Sequence, residues 1–590
     1  MRTQRFLPAG LVIAALAFPL LAQTPAAAAQ EEKGIDLIWG LKIPMRDGVQ
    51  LNATVYKPKD MREPLPVVFT LTPYVSDAHH RFAYRYAQQG YVSVMVDIRG
   101  RGNSGGAFEP RVNESRDGYD VVEWLARQPW SNGKVAMAGG SYRGSSQWRT
   151  LKAFPPHLAT IVPMMGGMPG PWEWNNIWPS PMKIAWFTGI SGVTNNWNLS
   201  GEWSFWHQKL RELYLEHRPL REFDKIVGNT STVWRKWLDH PVPDAFWDAM
   251  VPTVDDYKRI NIPILTITGH YDGRQRGALE YYRRHMAYGT LEGREKHYVI
   301  LGPWNHDTGA PEGLKFGEAS RLDWSKLIKE WYDWTLKDGP KPEFLRKRVA
   351  YYVVGPEAEE WKYADSLEAI ASETWTLYLH SDGRANDTFH AGFLREQKPR
   401  QSPPDNYVYD PLDVRPAELE PELERGLVTD QRWALNFFGG GLVYHSEPFS
   451  EATEITGFLK FVAWMAMDVP DTDFIVNVYE IQPDGTSIGL TLRGDRMRAR
   501  YRESLRQEKL IKPGEINRYE FNSFRFFSRR IAKGSRLRLV LRSPNSIYWQ
   551  KNYNSGGVVA EESGKDARTA HITLYHDAEH PSFLELPVAK

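Results

Sequence analysis

Between residues 35 and 165, short apolar runs take turns with stretches of helical spacing. Val67–Leu71, Tyr91–Val96 and Val135–Ala138 read as buried strands. Ala83–Gln88 and Asp120–Gln128 read as helices, the second with Val121, Val122, Trp124 and Leu125 on one face. Strands joined through helices line up in parallel, and a parallel sheet needs cover on both faces. The rhythm returns at Ile264–Thr268 and Tyr298–Leu301, and Leu327–Leu336 predicts a closing helix. The expectation is an α/β domain built from residues 30–165 and 256–345.

Residues 166–255 interrupt that rhythm. They hold ten tryptophans and helical patches such as Phe205–Glu216, with no strand-like run. A helical insertion between two sheet strands predicts a cap over a site. After Lys341 the runs are short and β-like and are separated by turn signals. Val349–Val354, Trp375–Leu379, Phe474–Tyr479, Leu537–Leu541 and Ile572–Tyr575 are the clearest. They predict an all-β sandwich over 346–590, a jelly roll being one candidate.

The N-terminus reads differently. Arg2 and Arg5 come first, then the apolar run Leu11–Leu21, then the small residues Ala26–Ala29. Basic, apolar, small is the order of a secretory signal. The apolar run falls short of the roughly 20 residues of a spanning helix. A signal peptide over 1–29, cut near Ala29 or alternatively at Ala22, is therefore expected rather than an uncleaved anchor. A secreted or periplasmic protein without stable membrane insertion follows. Its loss removes two arginines and no carboxylate, taking the net charge from +1 to −1.

Composition removes several classes of function. With 73 Lys+Arg against 72 Asp+Glu there is no basic excess for nucleic acid. There is no cysteine, hence no disulfide, no Cys-ligated zinc, no iron–sulfur cluster and no thiol nucleophile. No HExxH string occurs, and the pair His79-His80 lacks the i,i+4 spacing of two ligands on one helix face. No metal and no cofactor are expected.

The strongest local signal is Gly139-Gly140-Ser141-Tyr142-Arg143-Gly144, directly after the strand Val135–Ala138. A serine at a sharp strand-to-helix turn exposes its hydroxyl above the sheet edge, and glycines let the backbone make that turn. The strict pattern has glycine two residues after the serine; here Arg143 holds that place and Gly144 follows. A serine hydroxyl needs a base, and the base needs an orienting carboxylate. Strand Ile264–Thr268 runs into Gly269-His270-Tyr271-Asp272-Gly273, and strand Tyr298–Leu301 into Gly302-Pro303-Trp304-Asn305-His306. Asp272 and His306 therefore sit past carboxyl ends of strands, where open α/β sheets place their sites, in the chain order Ser, acid, His. Of the rival histidines, His297 precedes its strand and His270 is too near Asp272. Tyr74, after Val67–Leu71 in Thr72-Pro73-Tyr74, emerges at the same edge. Its hydroxyl and the backbone N–H of Tyr142 are candidate donors to an oxyanion.

Five strings occur in order: TPY with Tyr74, DIRGRGNSGG from Asp97 to Gly106, GGSYRG around Ser141, GHYDG around Asp272 and GPWNH around His306. Together they resemble the CocE/NonD serine hydrolases. That family takes in cocaine esterase, X-Pro dipeptidyl peptidases, α-amino-acid ester hydrolases and glutaryl-type cephalosporin acylases. The resemblance spans about residue 35 to the C-terminus. It implies an α/β-hydrolase core with a helical cap insertion and a C-terminal jelly roll. It also implies Ser141 as nucleophile, His306 as base, Asp272 as orienting acid, and Tyr74 and Tyr142 as oxyanion donors. Asp97 and Arg99 look structural by the same likeness, and Arg143 is no departure from it. The expected partner is a small-molecule ester or amide, with a homo-oligomer left open.

In the α-amino-acid ester hydrolases, acidic residues shortly after the catalytic aspartate help hold the substrate's ammonium. Here Gly273-Arg274-Gln275-Arg276 stands in that place. Glu173 offers one carboxylate, and one residue does not make an ammonium pocket. Arg274 is therefore expected either to favour neutral or acidic acyl chains, or to point to solvent or pair with Glu173. Trp172 and Trp174 are the candidate aromatic walls of an acyl pocket supplied by the cap. An exported carbohydrate-binding protein, stacking sugars on tryptophan, is the non-enzyme alternative; it leaves the Ser, Asp, His order at three strand ends without a purpose.

Overall fold

The computed structural model describes residues 34–420 and 428–589. Residues 1–29, expected from the sequence to be a signal peptide, lie outside the described residues. Among the described residues, no helix is long and apolar enough to cross a membrane.

Ten strands form the first sheet: β1 (Ile35–Pro44), β2 (Gln50–Pro58), β3 (Leu65–Thr72), β4 (Val92–Asp97), β5 (Ser131–Gly140), β6 (Leu158–Met164), β7 (Ile264–Tyr271), β8 (His297–Asn305), β9 (Val349–Val353) and β10 (Glu360–Ala364). Their spatial order is 1-2-4-3-5-6-7-8-9-10. From β4 to β9 all neighbours are parallel. β1, β2 and β10 are antiparallel additions at the two edges. The period-2 geometry of a strand divides β3 between two cores. Val67, Phe69 and Leu71 pack with Val121, Val122, Leu125 and Trp148 on one face. Val68 packs with Leu327, Ile328, Trp331 and Tyr332 on the other. Full burial of such an aliphatic side chain contributes about 1.5–3 kcal/mol.

The closing helix is Trp324–Lys337, capped by the Asp323 side chain, which accepts from the Lys326 N–H. Its buried residues Leu327, Ile328, Trp331, Tyr332 and Leu336 follow the helical period. The tryptophan-rich stretch is helical throughout, from Pro171–Trp174 to Ala245–Asp248. Most of its indoles build a core of their own with Ile547, Tyr548 and Trp549. The C-terminal domain is all-β, and its strand pairs are antiparallel except Gly392–Arg395 with Gly441–Ser446.

One strand departs from the sequence reading. Val349–Val354 was expected to open the C-terminal sandwich, yet Val349–Val353 is β9, parallel to β8 and buried along its length. A short run of apolar residues reads alike in a doubly covered parallel sheet and in a sandwich core, so periodicity does not tell them apart. The first sheet thus extends to Ala364, and Val354 bridges onward to Arg529 of the second.

Candidate active site

The turn between β5 and the helix Tyr142–Lys152 puts Ser141 at φ 60°, ψ −121°. This is a region that costs a non-glycine residue about 1–3 kcal/mol and persists only where its surroundings enforce it. The Ser141 N–H donates to the Met164 carbonyl at 2.9 Å, fixing the turn to the end of β6. Close packing explains the glycines. A Cβ on Gly144 would stand 2.5 Å from Met164 O and 3.1 Å from the Gly166 Cα. Gly139 has φ +137°, and a Cβ there would meet the Arg143 Cβ at 2.6 Å.

β7 and β8 are parallel neighbours, with Tyr271 opposite Asn305, so the residues that follow them leave the sheet side by side. His306 Nδ1 lies 2.7 Å from Asp272 Oδ1, and its Nε2 lies 2.9 Å from Ser141 Oγ. Asp272 is fully buried. It accepts further hydrogen bonds from Thr268 Oγ1 and the Arg274 N–H, each at 2.9 Å. Burial raises its pKa, but the adjacent His306 and these donors outweigh it and hold the carboxyl below its ordinary value. A carboxylate that accepts from Nδ1–H leaves Nε2 as the imidazole's acceptor, which faces the serine.

The other histidines lie elsewhere. His270 is fully buried, its ring 5.6 Å from Phe526, and burial takes its pKa down to about 3. His297 begins β8 and contacts Thr266 Oγ1 at 2.9 Å and His285 Nδ1 at 3.0 Å.

Tyr74 stands past the end of β3, its ring 6.2 Å from that of Tyr142. Its hydroxyl oxygen accepts from Trp186 Nε1 at 3.2 Å, and its carbonyl accepts from Asn195 Nδ2 at 2.6 Å. The helical insertion thus supports Tyr74 with two residues that local strings did not single out. The side chain of Tyr142 is buried away from the serine. Its hydroxyl donates to Glu114 and accepts from the Arg111 N–H, and its ring stacks on Trp186 at 5.8 Å. Burial and the neighbouring Glu114 carboxylate raise its pKa. What Tyr142 can offer the site is its backbone N–H, at the first position of the helix.

Arg143 links the elbow to Tyr74. Its Nη1 donates to His79 Nδ1 at 3.2 Å. A guanidinium only donates, so the imidazole proton is on Nε2, which donates to Thr72 Oγ1 at 3.1 Å. The Tyr74 N–H donates to the same oxygen at 3.0 Å. Burial, aided by the Arg143 charge, keeps His79 neutral with a pKa of about 3. Asp97 accepts from the Ser76 N–H at 2.5 Å and from Asn52 Nδ2 at 3.1 Å. Arg99 is bound to Asp117 at 2.6 Å and to Asp47 at 3.0 Å.

A cavity of about 500 Å³ reaches Ser141 and His306. Its apolar wall comes from Phe82, Tyr86, Met164, Met165, Trp324 and Ile328. The helices His80–Gln88 and Trp324–Lys337 border this side of the elbow. Trp172 is absent from that wall; its ring lies 4.4 Å from the Arg284 guanidinium and 4.9 Å from that of Arg506. Trp174 is buried and faces Lys183 at 4.1 Å and Arg274 at 5.4 Å. Arg274 forms no ion pair with Glu173 or any other described residue. Glu173 is fully buried, and neither of its oxygens has a hydrogen-bond partner among the described residues.

The Asp272 loop is also held from the second domain, which sequence reading missed. The Gln275 side chain donates to Phe526 O and accepts from Phe526 N, both at 2.8 Å. Arg525 donates to Gly273 O at 3.4 Å.

Residues 47–308 match the family described as X-Pro dipeptidyl-peptidase (S15 family), and residues 335–585 match the X-Pro dipeptidyl-peptidase C-terminal non-catalytic domain. Cocaine esterase of Rhodococcus sp. (strain MB1 Bresler) is 27% identical over 577 residues, covering 93% of this chain and 98% of that protein. Among solved structures, an α-amino acid ester hydrolase superposes with a TM-score of 0.79 at 22% identity, over 98% of this chain and 100% of its own. A CocE/NonD family hydrolase from Staphylococcus aureus superposes with a TM-score of 0.67 at 18% identity, over 94% of each chain. At these identities the two structures speak for the fold.

Proposed function

The chain belongs to the CocE/NonD serine hydrolase family, and from that premise we propose an exported acyl hydrolase in which Ser141, His306 and Asp272 act as a triad on a small ester or amide. The single observation that carries this reading is the row of hydrogen bonds from Ser141 Oγ through the imidazole to Asp272, at 2.9 and 2.7 Å.

In the first half-reaction His306 Nε2 takes the Ser141 proton while Oγ bonds to the substrate's carbonyl carbon. The carbonyl oxygen gains negative charge and takes hydrogen bonds from the Tyr74 hydroxyl and the Tyr142 backbone N–H. The imidazolium, stabilised by Asp272, passes its proton to the leaving alcohol or amine, and that bond breaks. A water molecule then gives a proton to His306 and its oxygen to the acyl carbon. Ser141 recovers its proton as the carboxylic acid departs.

Release of X-Pro dipeptides or α-amino acyl groups is the second reading. It needs an anionic subsite for the substrate's ammonium, and Glu173 is the carboxylate available. Arg274 and Arg525 lie close enough to draw its pKa down against the effect of burial, so a cation entering there meets competing charge.

Export rests on the basic, apolar, small order of residues 1–29 and is checked by N-terminal sequencing of the secreted chain. The triad is tested with a fluorophosphonate probe. Wild type should label on Ser141, and Ser141→Ala should neither label nor turn over aryl esters, a loss of about 10⁶ in kcat. A folded wild type that stays unlabelled, or an alanine variant with full turnover, would exclude this mechanism.

A further inference from the structure

We propose that the cavity of about 500 Å³ beside Ser141 and His306 is the leaving-group subsite, and that it takes aryl-bearing alcohols or amines and rejects those with a cationic substituent. The proposal rests on the reading of Ser141 as the acylated residue.

The position of the cavity decides which part of a substrate it can hold. A carbonyl carbon attacked by Ser141 Oγ carries three further substituents: the oxyanion, the acyl chain and the leaving atom. The oxyanion belongs with the Tyr74 hydroxyl and the Tyr142 N–H, and neither residue is among those that line the cavity. The leaving atom must come within about 2.6–3.2 Å of His306 Nε2 to receive its proton. Ser141, His306, Asp307 and Thr308 all border the cavity. The His306 side chain is 37% exposed, so the fold does not close off the base. A group bonded to the leaving atom therefore extends into this cavity, and the acyl chain takes the remaining direction.

The walls say what that group is. Phe82, Tyr86 and Trp324 bring rings, and Met164 and Met165 bring thioethers, surfaces that suit a flat apolar ring. Aromatic walls also suit a quaternary ammonium. Charge decides between the two. Arg85 and Arg143 line the cavity against the single carboxylate of Asp307. The Arg143 guanidinium lies 5.8 Å from the centre of the Phe82 ring, so that ring already has a cation beside it. Burial pushes the Tyr86 pKa up to about 12, and Arg143 and Arg85 are the charges that oppose it. Both guanidiniums thus act on the same wall. A second cation entering there is repelled, whereas a neutral ring is not.

Acetate esters of three alcohols separate the alternatives: 2-(2-naphthyl)ethanol, ethanol and choline. Wild type should favour the naphthylethyl ester over the ethyl ester by about 10- to 100-fold in kcat/KM, the range for burying one apolar ring. It should turn over the choline ester no faster than the ethyl ester. Phe82 is 51% exposed, so its truncation spares the core. Phe82→Ala should lower the naphthylethyl-to-ethyl ratio about 3- to 10-fold, the range of one aromatic contact. Arg85→Glu should raise the choline-to-ethyl ratio. Ethyl 2-naphthylacetate puts the ring on the acyl side instead, and its ratio to ethyl acetate should not respond to Phe82→Ala. Equal rates for the naphthylethyl and ethyl esters, a choline preference in wild type, or ratios unchanged in the two variants would overturn the subsite and leave the triad standing. A Phe82 effect as large on the naphthylacetate would do the same, by moving the cavity to the acyl side. If no ester is turned over and Ser141 resists the fluorophosphonate, the triad falls and the leaving-group assignment falls with it.

Discussion

The indole N–H of Trp186 donates to the hydroxyl oxygen of Tyr74 at 3.2 Å. An oxygen that already accepts from an indole keeps its own hydrogen for another acceptor. The helical insertion therefore orients a donor that belongs to the sheet edge, and Tyr74 is poised to donate outward.

Tyr74→Phe should retain fold and substrate binding while kcat falls about 10²–10³, the usual effect of losing one oxyanion donor. Trp186→Phe removes only the orienting bond, about 0.5–1.5 kcal/mol, so kcat should fall about 2- to 10-fold. Steady-state kinetics on one aryl ester checks both, and turnover of Tyr74→Phe at the wild-type level would take Tyr74 out of the site.

Asp272→Asn should fold normally and lose about 10⁴ in kcat. The new side-chain NH₂ would face His306 Nδ1 and push the imidazole proton to Nε2, so that nitrogen no longer accepts from Ser141. Circular dichroism establishes the fold, and slower fluorophosphonate labelling reports the weakened serine.

Gly144→Ala should destabilise the protein by about 1–3 kcal/mol through overpacking. The added methyl would stand 2.5 Å from Met164 O, the carbonyl that receives the Ser141 N–H, so activity should fall along with stability. The urea midpoint measures the first effect. An alanine variant as stable and active as wild type would show that β6 and the elbow are not in close contact.

Glu173 supplies a pH signature. Burial raises its folded pKa above the ordinary 4.5, with Arg274 opposing. A group with a raised folded pKa stabilises fully below its unfolded value, and that contribution is lost as pH rises through the folded value. Glu173→Gln does not titrate, so its Tm should gain on wild type as pH increases from about 4.5 towards neutrality. A Tm difference that is flat over that window, or that shrinks, would mean that burial does not raise the Glu173 pKa.

Several parts of this molecule were open to reading from local strings, and others were not. Ser141, Asp272 and His306 each follow an apolar run and a glycine, so strand ends and chain order point to them together. Trp186 and Asn195 carry no such mark, because their contacts with Tyr74 span 112 and 121 residues of sequence. Lys183 looks like an ordinary helical lysine until the fold brings the rings of Trp174, Trp186 and Trp237 around its ammonium. The sheet to which Val349–Val353 belongs is not legible in the sequence, because burial on both sides erases the alternation that distinguishes one sheet from another. Tyr142 shows a subtler gap. Its position in the turn could be read, but the burial of its ring against Arg111 and Arg149 depends on residues far from the motif.

Gln275 and Phe526 exchange two hydrogen bonds in the manner of paired strands, three residues beyond Asp272. In genetic terms the two halves of the gene are then one locus of function. Lesions near Asp272 should find second-site suppressors around residues 523–526. A fragment ending before the β domain would keep every residue of the proposed triad and lose the brace on one of them.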